Sequence, residues 1–316
     1  MSVTLAPMEG VVDQYMRDIL TRIGGIDLCV SEFIRVSNNL YPRRKFIEIC
    51  PELETGGKTA AGIPVHVQLM GGDPVLLAEN ADKVARIGAP GIDLNFGCPA
   101  KTVNRNDAGA TLLQWPDRLY EVTSAVRRAV PDHIPVSAKM RLGFEDKSMY
   151  LENAHAVEAA GASKLTIHAR TKLEGYRPPA HWENLVPIRE ALSITVVANG
   201  EIWTREDFDK CKSICGYEHY MMGRGMIARP SLGLEVKDPA YSKFEWSHII
   251  HLLEDYHKLL QQMRQPLRQA GRLKQWIKLM GRTYPESAAL FTRIRRLNSP
   301  DEIMEQVYHE KSLMAF

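Results

Sequence analysis

The chain has 316 residues, of which 45% are hydrophobic and 25% are charged, an ordinary composition for a soluble globular protein. This length suits one large domain, alone or with a small second domain. No apolar run reaches the roughly 18 residues of a membrane span, and the N-terminus lacks the basic and apolar segments of a signal peptide. Five cysteines without a framework spacing predict a reducing cytoplasm, no disulfides and no metal site.

The net charge of +2 is distributed unevenly along the chain. Residues 257–297 contain ten Lys or Arg against one acid, Glu286, whereas the remaining residues contain 30 basic and 37 acidic side chains. An acidic body with a basic C-terminal part suggests a polyanionic partner.

The first 230 or so residues alternate short β-rich apolar runs with longer amphipathic stretches. The predicted strands are residues 3–6, 28–31, 65–69, 91–95, 136–140, 164–168, 195–198 and 220–222. Helix-like segments between them include residues 74–87, 116–129, 149–160, 185–190 and 205–213. Eight such units predict a (β/α)8 TIM barrel. A doubly wound sheet is the alternative, but no G-x-G-x-x-G follows the first strand.

From residue 244 the pattern becomes entirely helical, with predicted helices at 246–263, 267–281, 286–297 and 300–309. We therefore predict a barrel domain at 1–243 and a small helical bundle at 244–316. Basic residues recur every four positions in the second helix, at Lys274, Lys278 and Arg282, and so share one face. A solvated helix face is the simpler explanation of such a stripe, but this face lacks acids, which favours contact with an RNA backbone.

Each predicted strand ends in polar residues or glycines, which a barrel would bring together on one face. The stretch at 91–99 presents Cys98 on a tight turn after a strand, since Gly97 and Pro99 exclude regular structure there. A buried structural cysteine is the competing interpretation.

The loops with Gly200, Gly223 and Arg224 follow the seventh and eighth strands, the usual phosphate position in such barrels. Lys139 and His168 could meet an anionic ring edge, although a strand-end histidine is more often structural. Gln68 could bind a planar heterocycle. Flavin mononucleotide (FMN) satisfies these features, but from the residues alone a sugar phosphate fits the phosphate loops equally well.

Six stretches resemble, in order and over nearly the whole chain, the tRNA-dihydrouridine synthase family. They are LAPMEG (5–10), NFGCPAK (95–101), KMRLG (139–143), IHART (167–171), ANGEI (198–202) and MGRG (222–225). Arg35, the stretch 272–276 and Arg295 are most similar to the bacterial C-type branch, which acts on uridine 16. Residues 107–113 are less rich in glycine than the common family version.

The resemblance implies an FMN-dependent reduction of a tRNA uridine to 5,6-dihydrouridine, with NADPH as reductant. It implies that Cys98 is the general acid that protonates C5 after hydride reaches C6. The implied flavin contacts are Pro7, Met8, Glu9, Gln68, Lys139, His168, Asn199, Gly200, Glu201, Gly223 and Arg224. The expected RNA contacts are Arg35, Asn95, Arg141, Tyr176, Arg272, Lys274, Trp276 and Arg295. For Trp276, packing in the protein is an equally good interpretation.

Two other classes of function stay open at this point. One is a flavoenzyme that reduces a free pyrimidine or another small molecule, with an incidental basic bundle. The other is a tRNA-binding protein whose barrel performs no chemistry. The sequence also leads us to expect a monomer in the cytoplasm.

Overall fold

The computed structural model describes residues 1–99 and 108–313. Ala100, Lys101 and Asp107, which belong to two of the sequence stretches discussed above, lie outside the described residues. The strands are β1 (Ser2–Leu5), β2 (Leu28–Val30), β3 (Ile34–Arg35), β4 (Val65–Met70), β5 (Ile92–Phe96), β6 (Val136–Arg141), β7 (Lys164–His168), β8 (Thr195–Asn199) and β9 (His219–Met222). All eight predicted strands are therefore confirmed, with boundaries shifted by one residue at most.

The strands form one parallel sheet that closes into a barrel. Each main strand pairs with its neighbour in the chain, and β1 pairs with both β2 and β9. β2 pairs with the first residues of β4, and the short β3 pairs with its last residues. β2 and β3 are therefore two parts of one barrel strand. The predicted (β/α)8 barrel is thus correct, and the doubly wound alternative is excluded.

In the described part of the first 243 residues, the α-helices are α1 (Gln14–Ile23), α2 (Arg43–Ile49), α3 (Pro74–Ile87), α4 (Pro116–Ala129), α5 (Tyr150–Ala159), α6 (Leu185–Ala191), α7 (Arg205–Cys215), α8 (Arg224–Ala228) and α9 (Leu232–Lys237). Local chemistry defines several ends. The Asp73 carboxylate accepts bonds from Val75 and Leu76 at the start of α3, and Thr204 and Asp207 form a capping box on α7.

Four further helices follow: α10 (Trp246–Leu260), α11 (Pro266–Met280), α12 (Pro285–Ile294) and α13 (Pro300–Leu313). The first ends three residues earlier than predicted, where turns lead into Pro266, which begins α11. The apolar faces of these helices join the core that lies between the outward-facing side chains of the strands and the surrounding helices. The bundle is therefore packed on the barrel domain through an apolar interface.

Trp276 lies at the centre of that interface. Its side chain is fully buried, and its indole Nε1 donates a hydrogen bond to the carbonyl oxygen of Ile227, 3.1 Å away. Tyr256 packs edge-on against it. The prediction that Trp276 contacts RNA is therefore wrong, because no face of the ring is accessible to a base. The basic residues near it in the sequence, Lys274 and Lys278, did not indicate that the Trp276 ring is buried in the protein.

Candidate active site

The carboxyl ends of the strands surround a cavity of about 560 Å³. All eleven residues predicted to hold a cofactor line it: Pro7, Met8, Glu9, Gln68, Lys139, His168, Asn199, Gly200, Glu201, Gly223 and Arg224. Asn95, Cys98, Arg141 and Tyr176 line it as well. A volume of this size is typical of pockets that enclose a whole organic ligand.

The Cys98 thiol is held at this cavity by a turn that follows β5. The side-chain oxygen of Asn95 accepts hydrogen bonds from the backbone N–H groups of Gly97 (2.9 Å) and Cys98 (3.0 Å). The carbonyl oxygen of Cys98 accepts a bond from Ala110, 3.1 Å away. Cys98 is half-buried, whereas Cys29, Cys50, Cys211 and Cys215 are fully buried. The alternative of a buried structural cysteine therefore does not describe Cys98.

The wall of the cavity beside the Cys98 turn is cationic. Burial lowers the pKa of Lys139 to about 8, and the nearby guanidinium of Arg141 acts in the same direction. Burial, followed by the charges of Arg141 and Lys139, holds the pKa of His168 well below its usual value. The His168 ring is therefore neutral at neutral pH. Its Nε2 lies 3.4 Å from Arg170 Nη1, which can only donate, so Nδ1 carries the proton.

Glu201 is the acid that faces this group of cations. Its backbone adopts a φ of 57°, a left-handed conformation that costs about 1 kcal/mol for a residue with a side chain. Burial opposes ionisation of its carboxyl, but hydrogen bonds from Arg170 and Trp203 outweigh it and lower the pKa. Arg224 Nη2 lies 3.7 Å from the same carboxylate. Glu201 thus pairs with two cations, of which Arg224 lines the cavity and Arg170 is buried behind it.

Tyr176 and Arg141 lie at the cavity in different ways. Tyr176 is exposed at the rim, with Arg141 and Arg224 5.2 Å and 4.9 Å from its ring centre. Arg141 is buried and donates to the carbonyl oxygens of Gly97 and Gly175, each at 2.8 Å. Arg141 therefore lies in the cavity wall and is too buried to contact an RNA backbone outside the cavity.

Other residues line the cavity that the sequence patterns did not single out, among them Phe33, Trp203 and Leu279. Trp203 directly follows the ANGEI stretch, so its position in the sequence could have predicted that it lines the cavity. Leu279 lies in α11 of the bundle, and Arg282 just beyond it lies 3.6 Å over the Trp203 ring. The bundle therefore contributes to the rim of the cavity, which no local pattern indicates.

The remaining predicted RNA contacts lie outside the cavity lining. Arg295 is exposed at the end of α12, and Arg35 is half-buried in β3. Lys274 is half-buried, and its Nζ donates to the carbonyl oxygen of Leu297, 2.6 Å away. Lys274 therefore binds the C-terminal end of α12, a structural task that the charge pattern did not reveal.

Arg272 joins the bundle to the first loop of the barrel. Its guanidinium forms an ion pair with the buried Asp13 and donates to the carbonyl oxygen of Gly10. Gln275 donates to the same carbonyl oxygen at 2.8 Å. Asp13 also caps the N-terminus of α1. Since Gly10 follows Pro7, Met8 and Glu9, these bonds hold the loop that forms one wall of the cavity.

Fold and site together define a class of protein: a parallel α/β barrel enzyme with a ligand cavity at the strand ends, a presented thiol and a cationic wall. The dihydrouridine synthase family model matches residues 4–308. The tRNA-dihydrouridine(16) synthase of Pseudomonas putida is 49% identical over 300 residues, covering 94% of this chain and 93% of that protein. That of Shewanella oneidensis is 47% identical over 312 residues, covering 98% and 99%. The chain belongs to the dihydrouridine synthase family.

Solved structures share the fold at much lower identity. A 2-naphthoyl-CoA reductase in complex with 2-naphthoyl-CoA matches with a TM-score of 0.58 and 14% identity, over 74% of this chain. This chain corresponds to about half (49%) of that larger chain. In the described residues, no helix is long and apolar enough to cross a bilayer, and no three acidic, His or Cys side chains are grouped as a metal site.

The contacts of Arg272 lead to a stability prediction. We expect Arg272→Met to lower the free energy of unfolding by about 2 kcal/mol or more, because the Asp13 carboxylate stays buried without its cation. Urea unfolding at neutral pH measures this loss, and hydrogen exchange at Val11 and Val12 should speed up. Arg268→Met, one turn earlier on the exposed side of α11, is the matched control and should change neither. Equal effects of the two substitutions would contradict the assignment.

Proposed function

We propose that this protein reduces the C5–C6 double bond of uridine 16 in tRNA to give 5,6-dihydrouridine, with FMN as cofactor and NADPH as reductant. The observation that carries the proposal is the half-exposed Cys98 thiol at a cavity lined by all eleven expected cofactor contacts, in a member of the dihydrouridine synthase family. The relatives named above are tRNA-dihydrouridine(16) synthases, which supports tRNA as substrate and position 16 as target.

The residues of the cavity fit FMN. The Gln68 amide donates one N–H to Asp93 and accepts one bond from Asn95, which leaves one N–H and one oxygen lone pair for a planar heterocycle. Lys139 and Arg224 supply positive charge for a phosphate or an anionic ring. Glycines leave room beside them: a Cβ on Gly200 would lie 3.0 Å from the His168 ring, and one on Gly223 would lie 3.2 Å from Met8 Sδ. Larger residues would therefore narrow the cavity at both loops.

When bound, reduced FMN supplies the hydride that adds to C6 of the uracil ring. Cys98 donates the proton that adds to C5, and its turn holds the sulfur at the cavity for that purpose. The side-chain oxygen of Asn95 already accepts two backbone bonds, so Asn95 can offer only an N–H to a substrate. A donor directed at position 4 suits O4 of uracil and not the amino group that cytosine carries there.

The target base has to leave its stacked position to enter the cavity, at a cost of a few kcal/mol. Contacts with the RNA backbone would offset that cost, and the bundle is suited to make them. Arg264, Arg268, Lys278, Arg282, Arg295 and Arg296 are exposed on it. Arg282 and Tyr176 lie at the rim, so this basic surface reaches the cavity entrance. We expect the protein to act as a monomer in the cytoplasm.

The central experiment compares purified wild-type protein with Cys98→Ala on unmodified tRNA, with FMN and NADPH present. We expect the variant to retain flavin absorbance but to form dihydrouridine about a hundredfold more slowly or worse, because its proton donor is gone. Nuclease digestion and mass spectrometry locate and count the product. A tRNA with cytidine at position 16 and free uridine are the control substrates and should yield none. Undiminished product from Cys98→Ala would remove the thiol from the mechanism.

The pKa of Lys139 leads to a pH prediction. Because Lys139 loses its charge as the pH rises through about 8, the affinity of the apoprotein for FMN should fall about tenfold between pH 7 and pH 9.5. Fluorescence titration of FMN measures the dissociation constant. Lys139→Met should bind more weakly at pH 7 and show a flat profile over the same range. A flat wild-type profile, or an unchanged slope in the variant, would exclude Lys139 as the cation concerned.

Binding of tRNA should depend steeply on salt through the bundle. Replacing both Arg295 and Arg296 by Ala should reduce the slope of log K against log salt by about 0.7–0.9 for each phosphate that these side chains neutralise. The double variant Arg22→Ala, Arg86→Ala removes the same charge from exposed positions on α1 and α3 and should leave the slope unchanged. Filter binding at several salt concentrations measures these slopes. Equal slopes for the two double variants would contradict the proposal that Arg295 and Arg296 contact RNA phosphates.

A further inference from the structure

Asp93 lies beneath the cavity and is not among the residues that line it. It is 2% exposed and is the second residue of β5, with Gln68 and Ser137 as its register partners on β4 and β6. Its two carboxylate oxygens accept short hydrogen bonds, one from Ser137 Oγ and one from Gln68 Nε2, both 2.6 Å. A buried carboxylate with two such donors is costly to keep and calls for an explanation.

The hydrogen bonds continue from Asp93 to the turn that carries the thiol. Gln68 Oε1 accepts a bond from Asn95 Nδ2, 2.8 Å away. Asn95 Oδ1 then accepts from the backbone N–H groups of Gly97 and Cys98. An unbroken chain of bonds therefore runs from the Asp93 carboxylate, through two side-chain amides, to the backbone of Cys98.

The two ends of this chain determine its direction. Burial raises the pKa of the Asp93 carboxyl, but hydrogen bonds from Gln68 and Ser137 and the charges of Lys139 and Lys164 favour the ionised form. As a carboxylate Asp93 can only accept, and a backbone N–H can only donate. If the amide of Gln68 turned over, its oxygen would face the carboxylate of Asp93. If the amide of Asn95 turned over, its NH2 group would face two N–H donors. Either rotation leaves buried polar groups unpaired, so each amide has one orientation that satisfies all partners.

We propose that Asp93 is a positioning residue: it fixes the amide orientations of Gln68 and Asn95, and through them the conformation of the turn that presents the Cys98 thiol. The catalytic part of this proposal rests on the proposed function, since it assumes that Cys98 donates the proton. The structural part concerns the thiol alone and is testable without any turnover. Asp93 itself touches neither substrate nor cofactor.

The test measures how fast iodoacetamide alkylates Cys98, with peptide mass spectrometry to separate it from the four buried cysteines. We expect Asp93→Leu to speed alkylation about tenfold, because the turn loses the partner that holds its Asn95 tether. Asp93→Asn should stay within about twofold of wild type. In this variant the side-chain oxygen at position 93 can still accept a hydrogen bond from Gln68. The side-chain NH2 group can donate to the Ser137 hydroxyl, which in turn donates to the Ile92 carbonyl oxygen, already 3.3 Å away.

Ser137→Ala is the matched control. It removes the other bond to the same carboxylate but leaves the path from Asp93 to Cys98 intact, so the alkylation rate should stay within about twofold of wild type. Every variant is measured with and without saturating FMN, after its circular dichroism has confirmed the fold. Where Asp93→Leu fails to fold, Gln68→Met breaks the next bond of the chain and should speed alkylation likewise.

Two results would overturn the proposal. One is an unchanged Cys98 alkylation rate in a folded Asp93→Leu or Gln68→Met protein. The other is an increase in Ser137→Ala as large as in Asp93→Leu, which would indicate general loosening of the barrel. With tRNA, Asp93→Leu should lower kcat while KM changes little. Since alkylation needs no flavin and no tRNA, a failure of the proposed function would leave the alkylation pattern intact and would be recognised separately.

Discussion

The closure of the parallel sheet is the constraint on which the rest of this structure depends. Pairing of β1 with both β2 and β9 joins the first and last strands of the barrel, so every strand ends on the same face. Residues as distant in sequence as Met8 and Arg224 thereby line one cavity. The barrel interior is filled by inward-facing side chains, among them the buried Asp93, Ser137 and Thr166, and the functional groups line the cavity at its carboxyl end.

At the cavity, the fold maintains ionisation states and a backbone conformation that are unfavourable for the isolated residues. Lys139 and His168 are held away from their usual ionisation by burial among cations, and Glu201 keeps an unfavourable backbone conformation beside Arg170. A cavity with several cations and few acids is unfavourable alone but suits an anionic ligand. The bundle completes this arrangement from outside, because Arg272 and Gln275 hold the loop after β1 and Leu279 lines the cavity.

Features that depend on short stretches of sequence could be predicted. The alternation of apolar runs and amphipathic segments located all eight strands, and the turn at Gly97 and Pro99 identified the presented cysteine. Features that depend on distant partners could not. Trp276 is buried, and Arg272 pairs with Asp13, 259 residues away, because of how α11 is oriented against the barrel. Arg17 is fully buried because Glu52 pairs with it, and Asp93 meets Gln68 only through strand register. Such partners are set by packing and leave no periodic signal.

The proposed chemistry requires a proton donor and a flavin to meet at one cavity. The most direct test is a crystal structure of the protein with FMN bound. We expect the isoalloxazine ring among Gln68, Lys139 and His168, the phosphate near Arg224, and a gap the size of a pyrimidine between the ring and Cys98 Sγ. A ring bound elsewhere, or a Cys98 sulfur turned away from it, would contradict this chemistry.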